Sequence, residues 1–292
     1  MNQVDGVQWQ RRRRKATSLS IPLGVRVGVC LLATLGIGNA RASDAPAAAP
    51  LTVLTTAASA EADALFAAAE RALARRDYAA AYRALQEAAQ QGHAAAQSSL
   101  GLLYVHGLGV APDEALAARW FARAAEQNDC VAQSNLGVMY LDGRGVDQDE
   151  VQAANWLRKA ALQGDAQAQD NLGLLFRDGR GVEPDAVEAA WWFQKAAEQE
   201  NPEAQSHIGL MYLQGQGVHQ DDTQALRWLQ RGAEQGNALA QYYVGVSLAE
   251  GRGVAPDREL AVKWLMRAAR QDLTPARDYL WTYGNISVEA GD

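Results

Sequence analysis

Apolar residues along the chain fall into short stripes of helical spacing, and the stripes themselves repeat. Ala96, Leu100 and Leu103/Tyr104 stand at i, i+4 and i+7/i+8, which is one face of a helix. Ala117, Trp120, Phe121 and Ala124 stand at i, i+3, i+4 and i+7, a second buried stripe. Tryptophan then returns at Trp156, Trp192, Trp228 and Trp264, each 36 residues after the last. Gly101, Gly137, Gly173, Gly209 and Gly245 keep the same period. The pattern predicts five helix pairs in unbroken register, the signature of a solenoid.

The polar residues between the stripes say how each pair is joined. Glycine pairs recur at Gly107/Gly109, Gly143/Gly145, Gly179/Gly181, Gly215/Gly217 and Gly251/Gly253, each followed by a valine. The first glycine falls just past the apolar face, where a helix ends in a left-handed residue. Asp113, Asp149, Asp185, Asp221 and Asp257 precede the second helices, and an aspartate there caps free amides for about 1 kcal/mol. Alanine pairs such as Ala124/Ala125, and Gly101 with its repeats, allow close helix approach.

Outside the array the pattern weakens. Residues 61–93 carry two helical stripes without the Gly-x-Gly-Val loop and read as a degenerate terminal pair. Residues 276–292 read as one capping helix, in which Trp281 replaces the packing glycine, and a short tail. Residues 43–60 are Ala/Pro/Thr-rich and read as a linker. Residues 1–42 have the form of a secretory leader. Arg11 to Lys15 are basic, Val27 to Ile37 is an apolar run, and Ala40-Arg41-Ala42 is a cleavage pattern. That run of eleven residues is shorter than the ~20 needed to span a bilayer. The expectation is a periplasmic or secreted chain beginning near Ser43, with no membrane insertion after cleavage.

The unit read from Ala96 to Ala125 is A-Q-x-x-L-G-x-x-Y-x-x-G-x-G-V-x-x-D-x-x-x-A-x-x-W-x-x-x-A-A. It resembles the Sel-one-like repeat family, a relative of the tetratricopeptide repeats with a longer loop between its helices. The likeness covers residues 94–275, with Phe176 and Leu248 in the tyrosine position and Gly232 in place of one alanine. The resemblance implies an all-α, right-handed superhelical solenoid of antiparallel helix pairs, whose first helices line a concave face. It implies an adaptor, since family members act in secretion, signalling, envelope biogenesis and protein quality control. Some cysteine-rich members have been discussed as penicillin-binding or β-lactamase-like, and those staple each repeat with paired cysteines. This chain has only Cys30 and Cys130, the first inside the expected leader, so that activity is not carried over. A β-lactam- or cell-wall-related enzyme and a structural envelope scaffold are the alternative readings.

Charge narrows the partners. The formal charge of −7 becomes −13 once the leader, with seven bases against Asp5, is removed. Phosphate contacts need a basic surface, so nucleic acid is excluded. The four histidines show no ligand spacing, so neither metal nor cofactor is expected. The Gly-x-Gly loops follow helices and lack a third glycine, unlike a phosphate loop. Asp142, Asp147, Asp149 and Glu150 crowd one loop but break the calcium-loop spacing. No catalytic residues are assigned.

What remains is the groove that the resemblance implies. The tetratricopeptide pattern lines it with Ser98/Leu102/Val105, Ser134/Val138/Leu141, Asp170/Leu174/Arg177, Ser206/Leu210/Leu213 and Tyr242/Val246/Ala249. Asn135, Asn171, His207 and Tyr243 lie beside them. The expected partner-binding residues are Asn135, Leu141, Asn171, Leu174, Arg177, Leu210, Tyr242 and Tyr243, holding a protein or peptide on a monomeric array. Amides and tyrosines beside aliphatic strips suit a peptide's backbone and apolar side chains. Arg177 and Tyr242 are the expected anchors because both break an otherwise regular ladder.

Overall fold

The computed structural model describes residues 51–284, and every element among them is helical. Thirteen helices follow one another: α1 (Leu51–Ala74), α2 (Tyr78–Gln90), α3 (Ala94–His106), α4 (Glu114–Glu126), α5 (Cys130–Asp142), α6 (Glu150–Leu162), α7 (Ala166–Asp178), α8 (Ala186–Glu198), α9 (Pro202–Gln214), α10 (Asp222–Glu234), α11 (Ala238–Glu250), α12 (Arg258–Arg270) and α13 (Thr274–Gly284). Each helix packs on its neighbours in the chain, as an all-α solenoid of helix pairs requires. The leader and the final tail lie outside the described residues. The linker expectation fails from Leu51 onward, because α1 runs through residues 51–60. No proline or glycine interrupts those ten residues, and Ala57, Ala58 and Ala60 favour the helix at their end despite the β-branched Thr52, Val53, Thr55 and Thr56.

Within each unit the loop chemistry is as the residues dictate. Gly143 ends α5 at φ +66°, and its amide returns to the Met139 carbonyl. Asp149 then accepts from the Gln152 amide at 2.9 Å to start α6. The first helices are capped as well, by His93, Asp129, Asp165, Asn201 and Asn237, a row of mixed residue types that the spacing of any one residue does not mark.

The core is built one residue away from where the tryptophans stand. Phe121, Leu157, Phe193, Leu229 and Leu265 are fully buried and occupy the space left by the glycines of the first helices. A Cβ on Gly173 would come within 2.7 Å of the Phe193 ring, so the glycine and the large side chain are one packing pair. The indoles, expected in the core, are only half-buried at Trp120, Trp156, Trp228 and Trp264. A cation three residues on covers each of them: Arg123, Lys159, Arg231 and Arg267 lie 3.8–4.8 Å from the ring centroids. Of the five periodic indoles only Trp192 is buried, at 5% exposure, with Trp191 packed edge-on against it at 4.4 Å.

Polar groups join one unit to the next. Gln97, Gln133, Gln169, Gln205 and Gln241 are buried, and each donates to an alanine carbonyl at the end of the preceding second helix. Each also accepts from a glutamine 30 residues on, as Gln169 does from Gln199 at 2.8 Å. Each of those alanine carbonyls also accepts the turn amide three residues on, so the glutamine uses its second lone pair. Arg144–Glu114, Arg180–Glu150 and Arg252–Asp222 form ion pairs across the same junction. Where the acid is absent, at Ala186, the loop residue is Gln216 rather than arginine.

Candidate partner-binding face

The first helices of the five units, α3, α5, α7, α9 and α11, share one pattern of exposure. The fifth residue of four of them is buried: Ser98, Ser134, Asp170 and Ser206. These residues were expected along the groove and instead face the next unit. Ser134 Oγ donates to Asp165 at 3.2 Å and Ser206 Oγ to Asn237 at 2.8 Å. Leu213, expected in the groove, is likewise buried. The reason is a rotation of one residue. At Ser134 and Ser206 the inward hydroxyl closes a bond to the following helix cap, Asp170 bonds His207, and Ser98 turns inward without a partner for its hydroxyl.

The accessible stripe runs instead along the sixth, ninth and thirteenth residues. Ser99, Asn135, Asn171, His207 and Tyr243 form one row, all half-buried. Leu102, Val138, Leu174, Leu210 and Val246 form a half-buried aliphatic row beside it. His106, Asp142, Asp178, Gln214 and Glu250 form an exposed row at the helix ends. Of the expected binding residues, Asn135, Asn171, Leu174, Leu210 and Tyr243 thus share one face, and Leu141 and Arg177 flank it. Asn135 donates to the Val131 carbonyl at 2.8 Å. Arg177 makes a two-point pair with Asp178, at 2.8 and 3.0 Å. Tyr242 packs edge-on to Tyr243 and to Tyr279 of α13, so it is tied to the capping helix.

One polar pair on this face does not repeat with the period. Asp170, 2% exposed, bonds His207 Nδ1 at 2.7 Å, and His207 rests against Phe193. Both residues depart from their rows, and that departure was the legible signal. The neighbouring Ser206 hydroxyl donates to Asn237. Among the described residues, no group of three His, Cys, Asp or Glu side chains could hold a metal ion. None of the described helices is long and apolar enough to cross a membrane. Cys130 opens α5, with its thiol 3.7 Å from the Ala160 carbonyl.

Helix pairs at a fixed period, with one face of every first helix in register, define a helical-repeat interaction scaffold. The comparisons with known proteins make that class specific. A family model of the Sel1 repeat matches residues 94–129, 130–165, 166–201, 202–237 and 238–273. The chain belongs to the Sel1 repeat family. It is similar to a Sel1 repeat protein from Oxalobacter formigenes, with 33% identity and a TM-score of 0.70 over 76% of this chain and 90% of that one. It is also similar to a protective antigen present in uropathogenic Escherichia coli strains that displays an SLR fold, with 32% identity and a TM-score of 0.70. That match covers 83% of this chain but only 54% of the antigen. A search of curated proteins found no significant match.

Proposed function

We propose that this protein is a non-catalytic adaptor of the bacterial envelope, which captures a partner protein or peptide on its first-helix face. One observation carries the reading. Five aliphatic side chains, Leu102 to Val246, remain half-exposed in register beside a row of amide, imidazole and phenol groups. A preformed strip of that kind limits the entropy lost when an extended segment binds. Asn135, Leu141, Asn171, Leu174, Arg177, Leu210, Tyr242 and Tyr243 are its proposed contacts, with Tyr242 and Tyr243 at the end nearest α13. The envelope assignment rests on Arg11–Lys15, Val27–Ile37 and Ala40–Ala42.

Crosslinking in intact cells, followed by mass spectrometry, identifies the partner. Replacing Asn135, Asn171 and Arg177 together by alanine should then weaken its capture at least tenfold, about 1.4 kcal/mol. The melting temperature should change little, because none of the three lies in the core. Unchanged capture would move the site to the second-helix face. For the leader, residues 1–60 fused to alkaline phosphatase should give an exported, active enzyme. An inactive fusion retained in the cytoplasm would remove the envelope from this reading.

A further inference from the structure

Asp170 departs from what its position needs. Ser98, Ser134 and Ser206 fill the same place in other units, so a junction between units closes with a small hydroxyl side chain. A carboxylate 2% exposed gives up far more hydration than a hydroxyl does, and it is tolerated only with a partner. That partner is His207 Nδ1 at 2.7 Å, on a ring that rests against Phe193 with centroids 4.8 Å apart. The competing role for the pair is a tie between α7 and α9, because this junction lacks a loop ion pair where Ala186 and Gln216 stand. A tie accounts for only one nitrogen of the ring. Nε2 bonds no described residue, and the buried polar atoms left without a partner are Ser98 Oγ and Trp192 Nε1. Nε2 is therefore open to solvent, on the row that Asn171 and Tyr243 share. A local rule broken with no gain in stability marks a functional position.

Resting on the adaptor reading, we propose that His207 is a specificity-determining residue of this face, accepting a main-chain N–H of the bound segment on Nε2, and that Asp170 is its positioning residue. A carboxylate offers acceptors only, so the shared proton sits on Nδ1. The neutral ring is then left with a bare Nε2, a tautomer set by the bond on its other side. Asp170 and Phe193 hold the ring from within, so little freedom is lost when Nε2 takes a donor. Leu210 stands three residues on along the same face of α9, and Leu174 lies on α7; both are half-exposed. Side chains that suit those leucines carry no donor, which leaves the main chain to supply it. An acceptor fixed in this way discriminates against a segment whose N–H is missing there, as it is at proline.

The test begins with the full chain alone. Nitrogen NMR of the neutral imidazole should show His207 protonated on Nδ1, and Asp170→Ser should abolish that preference. Diethyl pyrocarbonate is the chemical probe, because it acylates a bare imidazole nitrogen. It should label His207 in the free chain, and the partner retrieved by crosslinking should shield it. His207→Asn leaves an amide nitrogen where Nδ1 stood, so the bond to Asp170 and the melting temperature should hold while Nε2 is deleted. Capture of the partner should then fall by roughly fivefold or more, the worth of one hydrogen bond. Asp170→Ser should weaken capture as well, although its carboxylate is too buried to touch a partner. If His207→Asn melts early, the ring spectrum and the shielding of the unaltered chain decide. A proton on Nε2, labelling that the partner does not slow, or undiminished capture by a folded His207→Asn protein would each overturn the inference and leave the pair as a tie between units. The adaptor reading fails separately, through undiminished capture by the Asn135, Asn171 and Arg177 variant.

Discussion

Trp192→Ala should destabilise the array by about 3–5 kcal/mol, whereas Trp191→Ala should cost less than about 1.5 kcal/mol. Trp192 is 5% exposed and sits among Leu172, Leu175, Phe193 and the alanines of α8, so its removal leaves a cavity. Trp191, one position round the helix, is 48% exposed and loses mainly its edge contact with the neighbouring indole. One offset applies. Trp192 Nε1 is buried without a hydrogen-bond partner, so removing that N–H recovers some desolvation cost. The loss should therefore fall toward the lower end of its range. Trp156→Ala should lie between the two, because its indole is half-buried beneath Lys159. Chemical denaturation with tryptophan fluorescence and circular dichroism provides the comparison. Equal losses at Trp191 and Trp192 would place the apolar stripe on the wrong side of α8.

A second large effect is expected in a loop. Gly181→Ala should cost more than about 3 kcal/mol, and Gly164→Ala no more than about 1–2 kcal/mol. Both glycines have positive φ, at +67° and +96°, where a side chain carries a strain of about 1–2 kcal/mol. At Gly164 nothing lies within 4 Å of the added methyl group, so the strain is the whole cost. Other units support this directly, since Asn128, Glu200 and Asp272 hold the equivalent turn at φ +62° to +67°. At Gly181 the methyl group would run into the Glu150 carbonyl at the start of α6 in the preceding unit. That atom belongs to backbone and cannot swing aside, so the two units must separate. The Arg180–Glu150 pair beside it would be strained as well. Thermal melts of the two variants should differ plainly. A Gly181→Ala protein as stable as Gly164→Ala would mean that the junction between units yields easily.

Much of this protein is written in its period. The 36-residue spacing of Trp, Gly and Asp, with Gly-x-Gly-Val loops between stripes, determines five helix pairs and the caps of their second helices. These features are local or repeat identically, so one unit explains all five. Tertiary structure decided what happens between units. Periodicity places Trp120 and Phe121 on one stripe but does not say which reaches the centre; the glycine of the facing helix selects Phe121 and leaves the indole at the edge under Arg123. Likewise the second glycine of each loop is required not by its own turn alone but by a carbonyl of the preceding unit. The accessible face of the first helices shifted by one residue for the same reason. Ser134 is polar and looks like surface, yet Asp165 of the next unit draws its hydroxyl inward and leaves Asn135 and Val138 toward solvent. Asp170 and His207 were visible as breaks in their rows, but only the packing of α7 against α9 made them a pair. A pattern read along one chain fixes each residue's angle on its own helix, and partners on other helices decide which of two adjacent angles becomes core.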